Sequence, residues 1–179
     1  MDMDLRTQLT NCTSRDVSLF TLSGTRTIGK IVEMYDGDTC KIVIPLYGGL
    51  QKFNCRLNGV DTPEMKPKTT SNNRENEINA AHRARNFLLN LSTNCDSGEV
   101  ELSRHLTKTE CMTLLNKNTK LIYVVCGEFD KYGRLLVELY DDENITQPSY
   151  NQRLITEGYA KSYSGGTKEA FDAPSPNDL

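Results

Sequence analysis

The sequence predicts a small α+β domain in which about five β-strands and one main helix form a closed or partly open β-barrel. Three observations favour this fold class. β-Branched and alternating segments follow one another from position 27 to position 60, separated by two turn signals. A helical pattern then covers residues 74–91, and two more strand-like segments follow it.

The first half of the domain is predicted to be a three-stranded meander. Residues 27–34 alternate as a strand does, and residues 39–44 are rich in β-branched side chains. The first turn lies at 36–38, where Gly follows Asp, and the second is a Gly-Gly hairpin at 47–50. Residues 51–60 are predicted to return as the third strand. In the first strand, one face is expected to carry Ile28, Lys30 and Val32, and the other Gly29, Ile31 and Glu33.

The main helix is predicted over residues 74–91. Its inward stripe is expected to consist of Ile78, Ala81, Arg85, Leu88 and Leu91, with Ala84 and Phe87 beside it. Arg85 is the exception on this stripe, so we expect it at the edge with its guanidinium in water. His82 is expected to be solvated or half-buried, and not catalytic.

Shorter elements follow. A short strand is predicted at 100–102, and Thr107 and Glu110 have the spacing of a capping box for a helix that ends near position 116. Strands are predicted at 121–126 and 135–140, joined by a turn at 129–133. The last helix is expected to begin at Asn151 as its N-cap and to stop before Gly158.

These elements divide the chain into three parts. Residues 1–24 form a polar N-terminal extension, residues 25–168 form the barrel domain, and residues 169–179 form a flexible tail with two prolines. Residues 94–119 look like an insertion in the domain, as either a partner surface or a spacer. Five strands, with one main helix between the third and the fourth, match a barrel of the OB type.

Composition narrows the function classes. The chain has 179 residues and a net charge of −3, so a polyanion would have to be met by a local group of Arg and Lys side chains and not by the whole surface. The six cysteines include no C-x-x-C pair, so no zinc site is expected, and Cys40, Cys55 and Cys126 are predicted to be buried in strands. No N-terminal apolar signal region and no long apolar stretch occur. We therefore expect an intracellular protein of the cytoplasm or nucleus with no membrane partner, and homo-oligomerisation stays open.

The segment from Arg56 to Glu64 is the strongest indication of chemistry. It places one guanidinium and two carboxylates, those of Asp61 and Glu64, where a strand is expected to end. Pro63 cannot donate to a sheet ladder, so the chain should leave the sheet there on a stiff loop. Taken alone, this segment is explained better as a polar strand exit than as a functional site. Two other polar segments, 36–39 and 130–134, favour a functional site.

Four segments in order resemble the staphylococcal nuclease (thermonuclease) family. The polar N-terminal arm and the ending Ser164-Gly165-Gly166-Thr167-Lys168 are most similar to the nuclease-like proteins of large DNA viruses and eukaryotes. The resemblance covers roughly residues 25–168. It is carried by Asp36-Gly37-Asp38-Thr39, by Arg56 with Val60-Asp61-Thr62-Pro63-Glu64, by Asp130-Lys131-Tyr132-Gly133-Arg134, and by Gly158-Tyr159-Ala160-Lys161. It implies an OB-fold barrel with a Ca²⁺-dependent phosphodiesterase site that cleaves DNA and RNA at the 5′-oxygen side and leaves 3′-phosphates.

The resemblance also implies a role for each polar residue. Asp38 and Asp61 would ligate calcium, with the backbone carbonyl of Thr62. Glu64 would hold and deprotonate the attacking water. Arg56 and Arg134 would bind the phosphate, and Lys131 and Tyr132 would hold the terminal phosphate of the nucleotide. Asp36, by its place in the turn, is expected to cap the turn or support Asp38 in preference to ligating metal. The family's base-stacking tyrosines fall on Ser164 and Gly166, so Tyr163 is the candidate to replace them.

Two other interpretations stay open. Barrels of this kind that lose their acids and arginines only bind nucleic acid or protein, and a small barrel with an acidic surface could be a scaffold. The five polar residues Asp38, Arg56, Asp61, Glu64 and Arg134 argue against both. Among substrates, single-stranded DNA and RNA are expected to be preferred over duplexes, because an exposed phosphate fits a shallow cleft better.

Overall fold

The structure, a computed structural model, describes residues 4–68, 73–95 and 100–165. Within these residues it contains four helices, a closed five-stranded barrel and a separate two-stranded sheet, which confirms the predicted α+β barrel. The elements are α1 (Leu5–Asn11), β1 (Arg26–Met34), β2 (Thr39–Leu46), β3 (Gly49–Leu57), β4 (Val60–Asp61), α2 (Arg74–Leu91), α3 (Lys108–Lys117), β5 (Ile122–Phe129), β6 (Leu135–Tyr140), α4 (Tyr150–Thr156) and β7 (Lys161–Ser162). In the described part of the chain, no helix has both the length and the apolar character that a membrane span requires.

The barrel closes in the order β1-β2-β3-β6-β5, with β5 paired back to β1. The first three strands form the predicted antiparallel meander. The pairing of β3 with β6 is parallel, and it sets Arg56 opposite Leu136. This parallel pairing brings two distant parts of the sequence to the same end of the barrel, where the polar residues collect.

The turn between β2 and β3 has the backbone conformation that its glycines predict. Tyr47 and Gly48 both have positive φ, 51° and 76°, as the two-residue turns that join twisted antiparallel strands require. In β1 the predicted alternation holds as far as Ile31. A register shift between Ile31 and Glu33 then moves Met34, instead of Glu33, into the core.

The predicted third strand over 51–60 is too long. β3 ends at Leu57, the chain turns at Asn58 and Gly59, and Gly59 has a φ of 73°. Val60 and Asp61 then form β4, which pairs with β7 outside the barrel. The sequence does contain a signal for this turn, because Asn58-Gly59 is a typical turn dipeptide and the apolar alternation of residues 53, 55 and 57 breaks before Val60.

The main helix α2 has the predicted bounds, but Arg85 is buried and not at the edge of the stripe as expected. Only 5% of the residue is exposed, and its Nη2 donates to the carbonyl oxygen of Leu106 at 2.8 Å. The segment that follows the helix covers this side chain. Sequence periodicity along α2 has no information about that segment.

The strand predicted at 100–102 is wrong as well. The backbone there bonds to asparagine side chains of α2 instead of a neighbouring strand. Asn90 exchanges two hydrogen bonds with Val100, and the Nδ2 of Asn86 donates to the carbonyls of Glu101, Leu102 and Arg104. The capping box of α3 is confirmed, since Thr107 and Glu110 bond reciprocally.

Residues 1–24 contain one element that the sequence did not indicate. α1 is a short exposed helix with no buried residue, so no apolar stripe announces it. Closer to the barrel, Leu22 belongs to the core and the Phe20 ring lies 6.2 Å from the Phe129 ring. The predicted flexible tail, 169–179, lies outside the described residues. Cys40, Cys55 and Cys126 are buried as predicted.

The last helix begins slightly earlier than predicted. Ser149 is the N-cap of α4, because its side chain accepts a hydrogen bond from the backbone of Gln152. Asn151, the expected cap, is buried in the first turn of the helix. Its Nδ2 donates to the carbonyls of Asn58 and Val137, and its Oδ1 accepts from the Leu139 backbone.

We therefore expect Asn151→Ala to destabilise the domain by roughly 1–3 kcal/mol, because three backbone groups lose a hydrogen bond and two of these bonds are buried. Urea unfolding at equilibrium measures this loss. The control is Asn144→Ala, at an exposed position, which is expected to stay within about 0.5 kcal/mol of wild type. Equal effects of the two substitutions would contradict the prediction.

Candidate active site

A cleft of about 870 Å³ opens at one end of the barrel. Nine of the ten residues singled out from the sequence line it, and the tenth, Asp61, adjoins it through the Arg56 guanidinium. The nine are Asp36, Asp38, Arg56, Thr62, Glu64, Lys131, Tyr132, Arg134 and Tyr163.

Strand register explains why these residues meet. The β2–β3 ladder pairs Thr39 with Arg56, which places Asp38 beside the arginine. The β3–β6 pairing sets Arg56 opposite Leu136. Arg134 directly precedes β6, so it lies at nearly the same level of the barrel as Arg56. Asp61 in β4 pairs with Lys161 in β7, and this pairing returns the segment that contains Tyr163 to the cleft.

The turn between β1 and β2 is fixed by Asp36. Its Oδ1 accepts hydrogen bonds from the backbone N–H groups of Asp38 (3.1 Å) and Thr39 (2.7 Å). Burial, together with the neighbouring charge of Asp38, raises the pKa of Asp36 above its usual range. Asp36 thus orders the turn that presents Asp38.

Only glycine fits at position 37. A Cβ on Gly37 would lie 2.8 Å from the Cβ of Ala84 on α2 and 2.9 Å from Cγ2 of Thr62. The turn is therefore packed between the main helix and the loop after β4. This close approach ties the position of Asp38 to that of Thr62.

The centre of the site is one guanidinium between two buried carboxylates. Nη1 of Arg56 lies 2.5 Å from Oδ1 of Asp38, and Nη2 lies 3.4 Å from Oδ1 of Asp61. Nη2 also donates to the carbonyl of Val60 at 3.0 Å. The side chains of Arg56, Asp38 and Asp61 are 11%, 3% and 5% exposed, so this charge balance operates largely out of water.

The loop after β4 continues the site. The backbone N–H of Thr62 donates to Oδ2 of Asp38 at 3.1 Å, and the Thr39 hydroxyl donates to Oδ1 at 2.9 Å. Pro63 is buried, whereas Glu64 is exposed in the wall of the cleft. The rigid proline thus holds a solvated carboxylate at the mouth of a buried charged cluster.

On the opposite wall, Arg134 is paired with Asp130. Nε and Nη2 of Arg134 lie 2.8 and 2.7 Å from Oδ2 of Asp130, whose Oδ1 accepts from the backbones of Tyr132 and Arg134. Burial alone would raise the pKa of Asp130, but these hydrogen bonds and the guanidinium lower it overall. Such an internal ion pair is the structural alternative to phosphate binding for Arg134.

Two tyrosine rings face the cleft. Tyr132 is 72% exposed, and its ring centre lies 5.1 Å from Nζ of Lys131 and 5.3 Å from Cζ of Arg134. Tyr163 lies with its ring centre 5.9 Å from Cζ of Arg56, and its backbone N–H donates to the carbonyl of Gly59.

Sequence reasoning missed Tyr35 as a site residue. It considered Asp130 only as an ion-pair partner for Arg134, although Asp130 stands in a segment that carries the resemblance. Tyr35 is half exposed and also lines the cleft, which no local pattern indicates.

The donor set at the centre of the site contains oxygen atoms only. Across 4–68, 73–95 and 100–165, no group of three or more His, Cys, Asp or Glu side chains is close enough to hold a metal ion. Two buried carboxylates, Asp38 and Asp61, with the Thr62 carbonyl nevertheless fit a hard cation such as calcium, which takes about 6–8 oxygen ligands and accepts water for several of them. Calcium coordinated by both carboxylates would require the Arg56 guanidinium to move, since it now lies between them.

Comparison with known proteins agrees with this geometry. The family described as staphylococcal nuclease homologue matches residues 54–174, more than half of the chain. An uncharacterized protein of Methanocaldococcus jannaschii is 30% identical over 142 residues, which cover 75% of this chain and 58% of the relative. The chain therefore spans a little over half the length of that curated relative.

Proposed function

Because the chain belongs to the staphylococcal nuclease homologue family, we propose that it is a calcium-dependent nuclease that hydrolyses phosphodiester bonds in DNA and RNA. Its products would end in 3′-phosphates, through cleavage at the 5′-oxygen side. The observation that carries the proposal is the meeting of Asp38, Arg56, Thr62, Glu64 and Arg134 in one cleft beside Asp61.

The acidic residues would share the work of holding the cation and the water. Asp38, Asp61 and the Thr62 carbonyl would hold calcium, which when bound would polarise a phosphoryl oxygen. Glu64 is exposed at the mouth of the cleft, where a water molecule and a substrate phosphate have access to its carboxylate. Its role would be to orient this water and accept its proton as the phosphorus is attacked.

The arginines would bind the phosphate. Arg56 has only 11% of its side chain exposed, so a phosphate that reaches it is largely removed from water and the interaction is strengthened accordingly. Asp130 orients Arg134 by pairing with Nε and Nη2 of its guanidinium. Nη1 makes no ion pair within the described residues. Donors of this kind stabilise the charge that grows on the phosphoryl oxygens in the transition state.

Substrate binding would use the remaining residues of the cleft. Lys131 and Tyr132 are exposed beside Arg134 and would contact the terminal phosphate of the bound nucleotide. Tyr163 would stack on a base in place of the family's tyrosines. A net charge of −3 disfavours long-range attraction to duplexes, so single strands and RNA would be the better substrates.

One observation favours a second function, binding without cleavage. Arg56 is paired with Asp38 and Asp61, and Arg134 is paired with Asp130. A site whose two arginines already have internal partners can be stable with no metal at all. In that case the barrel would bind nucleic acid or protein as a module.

Cleavage assays separate the two functions. We expect the wild-type protein to cut single-stranded DNA and RNA with calcium, to cut them far less with magnesium, and not to cut them with chelator. Products with 3′-phosphate ends would support the cleavage direction. Failure to cut any nucleic acid with any metal would overturn the nuclease proposal and leave the binding module as the function to test.

A further inference from the structure

A second cavity, of about 450 Å³, lies on the barrel wall beneath α2 and α3. Its size is within the range of cavities that bind small ligands. It is lined by an unusual number of cationic side chains, and we call it the basic pocket. Its charged residues are Glu33, Lys41, Lys66, Arg85 and Lys108.

The charges in the basic pocket do not balance. Glu33 forms an ion pair with Lys41 at 2.6 Å and a second one with Lys108. Hydrogen bonds from these two lysines lower the pKa of Glu33 to about 2, and the effect of Lys108 is the larger. The single negative charge of Glu33 is therefore shared between them. Four cations therefore face one anion, a surplus of three positive charges on a chain whose net charge is −3.

Arg85 gives the pocket a buried donor. The residue is 5% exposed, and its Nη2 bonds to the carbonyl of Leu106 and lies 3.0 Å from Nδ1 of His82. Burial, the charge of Arg85 and the neighbouring His105 lower the pKa of His82 to about 4, so the imidazole is neutral at neutral pH. Nε of Arg85 is buried with no hydrogen-bond partner in the described part of the chain. An anion in the pocket would compensate this guanidinium.

The basic pocket and the candidate active site share a wall. Tyr35 and Thr39 line both cavities, and Tyr35 is 53% exposed at the boundary. An exposed aromatic ring between a cationic cavity and a cleft that contains Arg56 and Arg134 suits a single-stranded nucleic acid, with a base on the ring and phosphates on either side.

We propose that the basic pocket binds a backbone phosphate of the polynucleotide strand beyond the phosphodiester being cleaved, with Tyr35 stacking on the base between. The proposal rests on the nuclease function above. It makes the enzyme sensitive to substrate length, because a dinucleotide in the active site has no phosphate that reaches the basic pocket.

The proposal also gives the 94–119 insertion a role. α3 supplies Lys108, and the segment before it supplies the Leu106 carbonyl that holds Arg85. Of the two interpretations of the insertion, partner surface and spacer, this role favours a surface, and the partner is the substrate strand.

The test combines Lys66→Ala and Lys108→Ala in one protein. Both residues are exposed, and Glu33 keeps Lys41 as its partner. Lys108 opens α3, where a positive charge is unfavourable, so its removal is not expected to weaken the helix. The matched control is Lys52→Ala with Lys117→Ala, two exposed lysines that line neither cavity.

Cleavage of a dinucleotide is compared with cleavage of a single strand of about ten nucleotides, a length within the span of one OB barrel. We expect the double variant to raise KM for the longer strand by about tenfold and to leave kcat and dinucleotide cleavage unchanged. The slope of log KM against log salt should fall by about 0.7 for each phosphate that the variant no longer neutralises. Tyr35→Ala should raise KM for the longer strand by a similar factor without changing the salt slope.

The outcomes separate this inference from the nuclease proposal. If wild type cuts and the double variant treats both substrates as wild type does, the basic pocket is not a substrate site. If wild type cuts nothing, fluorescence anisotropy with the labelled longer strand decides. Binding that the double variant loses and the control keeps would support the pocket, whereas equal binding or none would overturn it.

Discussion

Glu64→Gln is expected to reduce cleavage by about 10²–10⁴-fold, the usual contribution of a positioned acid or base. The amide has the shape of the carboxylate but cannot accept a proton from water. Because Glu64 is exposed, the midpoint of thermal unfolding should stay at its wild-type value. Single-turnover cleavage with saturating calcium, measured beside unfolding by circular dichroism, checks both parts of the prediction.

The control is Glu143→Gln, which removes another exposed carboxylate from the loop after β6, outside the cleft. It should leave the cleavage rate unchanged. A Glu64→Gln protein that cuts within a few-fold of wild type would show that another group accepts the proton. A lowered unfolding midpoint would show instead that the side chain is structural.

Arg56→Ala is expected to abolish cleavage and also to destabilise the domain by about 3–5 kcal/mol in chelator, the cost of leaving a buried charge unpaired. The guanidinium lies 2.5 Å from Asp38 and 3.4 Å from Asp61, and both carboxylates are almost completely buried. Without it their negative charges face each other with less compensation. Urea unfolding in chelator measures this loss.

Calcium should restore more stability to Arg56→Ala than it adds to wild type, because a cation between Asp38 and Asp61 would replace the missing charge. Cleavage should stay abolished, because the phosphate still lacks its donor. The matched control is Arg104→Ala, whose partner Glu110 is well exposed and whose ion pair is worth about 0.2–1 kcal/mol. A loss of stability at Arg56 no larger than at Arg104, or no extra stabilisation by calcium, would contradict this account of the site.

The local elements were predictable where a single pattern decides them. α2 has the predicted bounds because its apolar period extends over the whole helix, and the capping box fixes the start of α3 within one segment. The hairpin at Tyr47 and Gly48 follows from its glycines. The polar residues of the site were identified from short segments in order, and the cleft contains nearly all of them.

Three of the errors share one physical cause, which is that a distant group satisfies or covers a local one. Asn151 looked like an N-cap, but its side chain bonds to the backbone of β6 and of the turn after β3. Residues 100–102 looked like a strand, but Asn86 and Asn90 take up their backbone groups. Arg85 looked like an edge residue, but the segment around Leu106 covers it.

The sequence by itself therefore determined most of the element types and the family, and it named the residues of the candidate site, because each of these depends on short segments with their own periodicity or spacing. The tertiary structure decided how the barrel closes, which arginine balances which carboxylate, and that a second cationic cavity adjoins the cleft. These features depend on pairings such as β3 with β6 and on α3 lying over β1, where residues far apart in the chain meet. Local patterns cannot encode them, since their energy comes from burial and charge shared between distant segments.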